Sequence, residues 1–302
     1  MTWTLSEDLK EFLAAAGAFL RSNPARNTVQ LAALEALRAG GLQVFGEGLS
    51  LFGWWRPVEP RGGEADPRSG ARAAVPQDSA VAGAFMHTPP YPVLLTRLPA
   101  GAAPALATAI AARDRKLWGV NAEQGDADAF TAAWGERTGV SARLLRNMRL
   151  FLLAELVPPA PPPGAARLAT AADSALLEAW IDAFLTETGE PRRETSGQVQ
   201  DRLSYGGFTL WIADGTAVSL AGITRAAAGV VRVGPVYTPP AHRGKGYGAA
   251  VTAAVTRAAL DGGAEQVVLF TDLANPTSNA LYTRLGYRPL QDRVLLGFTG
   301  AG

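Results

Sequence analysis

Cysteine is absent from all 302 residues, which excludes disulfides, cysteine-rich metal sites and a thiol nucleophile; any acyl transfer must proceed without a cysteinyl intermediate. Histidine is nearly as scarce, and His87 and His242 alone are too few for a zinc site, so no metal is expected. Net charge is close to nil at +1, which gives no global field for a polyanion and sets nucleic acid aside as a partner. No run of about 18 apolar residues occurs. The N-terminal stretch MTWTLSEDLKEFLAAAGAFLR carries Glu7, Asp8 and Glu11 where a signal peptide would be basic. A membrane partner is therefore not expected, and the default location is the cytoplasm. Nothing in the sequence speaks to oligomeric state.

What is present is ordinary globular material, 48% hydrophobic and 18% charged, long enough for two domains of about 150 residues each. The run VPPAPPPG, residues 157–164, cannot continue a helix or a central strand and is the strongest linker signal. It divides the chain into a first domain over 1–157, a linker over 158–164 and a second domain over 165–302. The polar, glycine-rich run Glu59–Ser79 reads as a long surface loop. The seven tryptophans, Trp54 and Trp55 among them, read as core or interface packing.

An internal repeat runs through both halves. Thr88-Pro89-Pro90 follows an apolar run, and Thr238-Pro239-Pro240 does the same 150 positions later. Behind each lies an alanine-rich helical pattern, then an apolar strand (LWGVN from Leu117, VVLFTD from Val267), then a helix closing at Gly139 or Gly286. At the offset of 150, YPVLLTRLPAG stands where the second copy has AHRGKGYGAAV. Val93, Leu94 and Leu95 are expected to fill the place of a glycine loop, with Arg97 the one cation nearby. Aligning Gly139 with Gly286 puts Gly135 opposite Tyr282.

In the second half, Leu176, Leu177, Trp180, Ile181 and Phe184 lie on one face of a helix. FTLWIADG and AVSLAGITR read as strands joined at Asp214-Gly215. VVRVGPVYT is a third strand, interrupted at Gly234-Pro235. In NPTSNALYTRLGY, Asn275 suits an N-cap, Pro276 the first helical position and Gly286 the residue after the helix. Gly244, Gly246 and Gly248 then open the backbone ahead of a helix N-terminus, which favours a phosphate. A dinucleotide site on Gly244-x-Gly246-x-x-Ala249 with Asp272 fails on context. The loop follows antiparallel strands, and too little chain remains for further parallel units. A P-loop needs Ser or Thr where Gly246 stands.

Arg243-Gly244-Lys245-Gly246-Tyr247-Gly248 resembles the pyrophosphate loop of the GNAT acyltransferase superfamily. Asn275, Leu281-Tyr282 and Leu285-Gly286-Tyr287 resemble that family's downstream segment, and VGPVYTPP its bulged strand. The resemblance covers roughly residues 167–298 and implies two GNAT-like α/β (α+β) domains, the first degenerate. Each would be a mixed, mainly antiparallel twisted sheet flanked by helices. It implies acetyl-CoA as cosubstrate, its pyrophosphate held by Arg243, Gly244, Lys245, Gly246, Tyr247 and Gly248. Pantetheine would pair with unpaired backbone at Val236, Tyr237 and Thr238, and Asn275 would contact the same arm or simply cap its helix. Tyr282 would be the acid for the departing thiolate, or a core tyrosine, and a small-molecule or peptide amine the acceptor. Glu187, Glu190, Glu194 or water is left as the base. His242, beside the loop, reads as a surface residue. A binding or sensing protein that holds acyl-CoA without turnover is the alternative.

Overall fold

The structure, a computed structural model, describes residues 2–46, 48–57, 80–189 and 195–300. The run Glu59–Ser79 and the candidate bases Glu190 and Glu194 lie outside the described residues. The chain forms two compact units: Met1–Asn23, Ala33–Asn147 and Arg293–Gly302 in one, Pro24–Ala32 and Met148–Asp292 in the other. The proline-rich stretch lies inside the second unit, where the Trp211 indole donates to the Pro163 carbonyl at 3.0 Å. Among the described residues no helix is long and apolar enough to cross a membrane.

The first run of elements is β1 (Thr2–Ser6), α1 (Leu9–Ser22), α2 (Thr28–Gly40), β2 (Leu51–Arg56), β3 (Gly83–His87), β4 (Val93–Leu95), α3 (Ala102–Ala111), β5 (Gly119–Ala122), α4 (Gln124–Thr138) and β6 (Ser141–Leu153). The second is β7 (Ala165–Leu168), α5 (Ser174–Glu187), α6 (Ser196–Leu203), β8 (Phe208–Ala213), β9 (Thr216–Ile223), β10 (Val230–Tyr237), α7 (Tyr247–Asp261), β11 (Gln266–Asp272), α8 (Pro276–Arg284) and β12 (Tyr287–Thr299). The second repeats the first, element for element, although the two Thr-Pro-Pro segments are not equivalent: Thr88 follows β3, whereas Thr238 follows β10, the counterpart of β4.

Each unit is a mixed sheet with one parallel neighbour pair. In the second unit the order is β7-β8-β9-β10-β11-β6, with β10 and β11 parallel and the other pairs antiparallel. In the first it is β1-β2-β3-β4-β5 and then the last residues of β12, with β4 and β5 parallel. Each repeat therefore donates its final strand to the other's sheet. In the second unit, Val231, Val233 and Leu269 pack with Val251 and Val255 of α7 on one face. Leu177, Ile181 and Val199 of α5 and α6 pack with Phe208, Leu210 and Leu220 on the strands. Asp214 and Gly215, at φ 50° and 74°, form the tight β8–β9 turn.

The first copy corrects one expectation. Val93, Leu94 and Leu95 are not a pre-helix loop but strand β4, buried between β3 and β5. Their apolar run is a core strand, and the fixed offset of 150 fails because it sets the β3–β4 connection against the segment after β10, one element out of step; the following loops also differ in length. Thr96–Gly101 precedes α3, and the longer Thr238–Gly246 precedes α7. Gly101 at φ 78° takes the N-cap position that Gly246 takes at φ 84°. In the shorter loop the Leu98 amide donates to Asp126 Oδ2 at 3.0 Å, so the chain supplies its own acid there. Burial pushes that carboxyl above the usual range.

Beyond Leu94–Asn121, where β4 and β5 stop pairing, the gap is filled by Arg293. Its buried guanidinium donates to the Leu95 carbonyl at 2.9 Å and to Asn121 Oδ1 and carbonyl at 2.9 and 2.8 Å. Burial draws the guanidinium pKa down to about 10. Arg293→Ala removes three buried charge-assisted hydrogen bonds and leaves a cavity, so it should lower unfolding free energy by about 3 kcal/mol. Urea denaturation followed by tryptophan fluorescence, sensitive to the buried Trp55 and Trp134 of this core, measures it.

Candidate active site

The site is built where β10 leaves its parallel partner. β10 and β11 pair from Val230–Gln266 to Val233–Leu269, and no pair is recorded beyond. On its other side β10 continues along β9, with the register shifting between Val233 and Val236. Gly234 at φ 145° and Pro235 lie in that shift. Pro235 has no amide to donate, and Gly234 tolerates a backbone that side chains resist. Residues Gly234–Tyr237 thus have a neighbour on one side only, which puts the break expected from the sequence in place.

The end of β10 is held by side chains. Ser219 Oγ donates to the Tyr237 carbonyl at 3.1 Å and lies 2.8 Å from Thr238 Oγ1. Arg243 Nε donates to the Thr238 carbonyl at 2.9 Å, so that carbonyl is not left unpaired as anticipated. Arg243 Nη2 and the Tyr237 hydroxyl meet the two carboxylate oxygens of Glu187, at 2.5 and 3.1 Å. Tyr237 ionises above the ordinary tyrosine range, through burial first and the Glu187 carboxylate second. Trp180 of α5 stacks at a tilt against its ring. The structure therefore joins Tyr237, Thr238, Arg243 and Glu187 in one cluster.

The loop from Arg243 leads into α7, whose N-cap is Gly246, so the helix has no side-chain cap among the described residues. The helix dipole and its first amides attract an anion. A side chain at Gly244 would project into open space, and one at Gly248 would crowd Thr238 Oγ1. The glycines thus leave the backbone of the loop uncovered by side chains of their own. Lys245 Nζ donates to the Ala241 carbonyl at 3.2 Å, a short swing from the same loop. His242 is half-exposed beside it.

Two of the expected residues sit on α8. Asn275 Oδ1 accepts from the Ser278 amide at 3.0 Å, which is the helix cap. Tyr282 is buried, its ring 6.2 Å from Tyr287. Burial alone pushes its phenol up to about 12, so it stays protonated and able to donate at neutral pH. Leu281 approaches Gly248, joining α8 to the loop.

Sequence reasoning missed Ser219, Arg202, Asn279 and Pro162. Arg202 Nη1 donates to the Gly234 carbonyl at 2.5 Å, and Pro162 lies against Gly246. Asn279 Nδ2 donates to the Asp272 and Asn275 carbonyls at 3.1 and 2.8 Å. Only Asn279 carried a signal, being polar on the Asn275–Gly286 segment; the others are far from the loop in sequence.

Residues 174–287 match the model of the Acetyltransferase (GNAT) family. Among solved structures, a GCN5-related N-acetyltransferase from Kribbella flavida is 23% identical with a TM-score of 0.53, covering 73% of this chain and 89% of that one. One from Sphaerobacter thermophilus is 19% identical at a TM-score of 0.57, covering 88% and 85%. A tandem GNAT protein from the clavulanic acid biosynthesis pathway is 15% identical at 0.54, covering 99% of both chains. These identities speak to the fold. No curated protein matches the sequence.

The buried phenol sets a pH dependence. Tyr282 ionises near 10 in the unfolded chain and near 12 in the folded one, so its contribution is complete below pH 10 and is lost as pH rises towards 12. Wild type should lose about 2–3 kcal/mol more stability than Tyr282→Phe across that window. Urea midpoints of the two proteins at pH 9 and pH 12 measure the difference.

Proposed function

From a second half that is a domain of the Acetyltransferase (GNAT) family, we propose that the protein moves an acetyl group from acetyl-CoA directly to an amine. The observation that carries this reading is the combination of a strand parted from its partner at Gly234 with a helix N-terminus left bare at Gly246. Acetyl-CoA supplies the thioester. The amides from Gly244 to Gly248 bind its pyrophosphate, with Arg243 and Lys245 as nearby cations. For Arg243 this means exchanging the Glu187 carboxylate for phosphate. Val236, Tyr237 and Thr238 offer the pantetheine arm the side of β10 that β11 has left, and Asn275 lines the same arm.

In the reaction a C–N bond forms between the amine and the acetyl carbon as the C–S bond breaks. Tyr282 gives its proton to the departing thiolate. The amine must arrive neutral or lose a proton, and Glu187, the carboxylate of the cluster, takes it directly or through water. In the first copy α3 also starts at an uncapped glycine, but Asp126 takes up the Leu98 amide in the shorter loop, Arg293 fills the gap and Gly135 stands opposite Tyr282. One acetyl-CoA per chain follows.

Release of free thiol from acetyl-CoA in the presence of an amine panel tests the activity. Binding without release on any amine would favour a sensing protein instead. Calorimetry should give one site per chain, and two sites would overturn the assignment. Gly246→Glu, which puts like charge into the cradle, should abolish acetyl-CoA binding in a folded protein. Tyr282→Phe should retain binding and lower turnover about 100-fold or more. Equal loss of both would make Tyr282 structural.

A further inference from the structure

Arg232 lies on β10 two residues before the break, between Val231 and Val233, which are buried beneath α7. Alternation along a strand sends Arg232 to the opposite face. The register Arg232–Val268–Leu152 puts it in a row with apolar side chains, next to the cluster of Ala25, Leu150, Val230 and Val268. Its backbone amide is satisfied by Thr224 Oγ1 at 3.0 Å. Its side chain is not: Nη1 has no solvent contact and no hydrogen-bond partner among the described residues.

The charges that face it do not compensate it. Arg202, reaching over from α6, is of the same sign, and Tyr205 is neutral. Burial, with Arg202 second, brings the guanidinium pKa down to about 10, which leaves it charged at neutral pH. The residue as a whole is only half-buried, so the guanidinium can be reached from outside, but a charged group with one nitrogen both shut off from water and unbonded is costly, and an apolar residue of similar volume would fill the place more cheaply. Its retention calls for an anion that the chain does not supply. The surroundings are fixed, since Arg202 is anchored on the Gly234 carbonyl and lies over the Phe208 ring. Two guanidiniums therefore flank the break on the face opposite α7.

We infer that Arg232 binds a carboxylate of the acceptor, so that the substrate is an amine carrying a carboxylate, such as an amino acid. The inference rests on the acetyl-transfer reading. Arg232 and Gly234 are two residue steps apart along the strand, about 7 Å. A carboxylate held by the guanidinium leaves an amine one or two carbons away close to the break, where the thioester would end. The planar guanidinium matches the two oxygens of a carboxylate.

The test pairs the common amino acids, β-alanine and 4-aminobutyrate with their amides, and adds aminomethylphosphonate, each with acetyl-CoA. The acids should be acetylated in preference to the amides. Arg232→Met should raise the KM for the acids about 10- to 150-fold, the worth of a charged hydrogen bond. It should leave acetyl-CoA affinity unchanged and unfold at the same or a higher urea concentration, because an uncompensated buried charge has gone. Arg232→Lys should fall between the two. A wild type that binds no acetyl-CoA removes the reading beneath the inference. A wild type that binds it but prefers amides, simple amines or the phosphonate, or acetylates no acid, overturns the inference alone. So does an Arg232→Met variant with unchanged KM or with a lowered urea midpoint.

Discussion

The parting of β10 from β11 after Val233 is the constraint on which the candidate site depends. A parallel pair that ran its full length would satisfy its own backbone and leave nothing for a ligand. Gly234 and Pro235 end it, one by its backbone freedom and the other by its missing donor, while pairing to β9 keeps the strand in the sheet. The rest follows from that opening. Ser219 and Arg243 steady the strand end, and the loop to α7 turns bare amides towards it. Arg202 marks its upper edge at the Gly234 carbonyl.

The two repeats make an internal comparison, because the same topology meets two fates. In the first unit the corresponding gap holds the Arg293 guanidinium, and the corresponding loop holds the Asp126 carboxylate. Both are polar side chains answering backbone groups that would otherwise be orphaned on burial. In the second unit Arg202 and Arg243 answer the Gly234 and Thr238 carbonyls, but β11 pairs with nothing of β10 beyond Val233–Leu269, and α7, like α3, starts at a glycine with no side-chain cap. The functional difference proposed between the copies thus reduces to which backbone groups the chain satisfies for itself.

Much of this was legible in the sequence where the signal is local. The hairpin at Asp214-Gly215, the cap at Asn275, the strand break and the glycine loop are each set by a few adjacent residues, and they stand where the pattern put them. What depends on distant pairing was not legible. Val93–Leu95 reads equally as loop filler or core strand until β3 and β5 are seen on either side. Glu187 and Arg243 meet across 56 positions, and Ser219 reaches Thr238 from a neighbouring strand. The compact units also trade segments, Pro24–Ala32 belonging to the second and Arg293–Gly302 to the first.

That trade bears on how the protein is made. Strand β5 of the first unit is completed by Val294–Gly297, which the ribosome releases only after the rest of the second repeat. The guanidinium that plugs its gap, Arg293, arrives at the same moment. A nascent chain carrying the whole first repeat still exposes an open sheet edge, with the unmet donors and acceptors that such edges present. It must hold that edge through the synthesis of the entire second repeat. Ordinary domain-by-domain maturation from the N-terminus is closed to this topology. The first unit, although begun first, can be finished only when the second is complete.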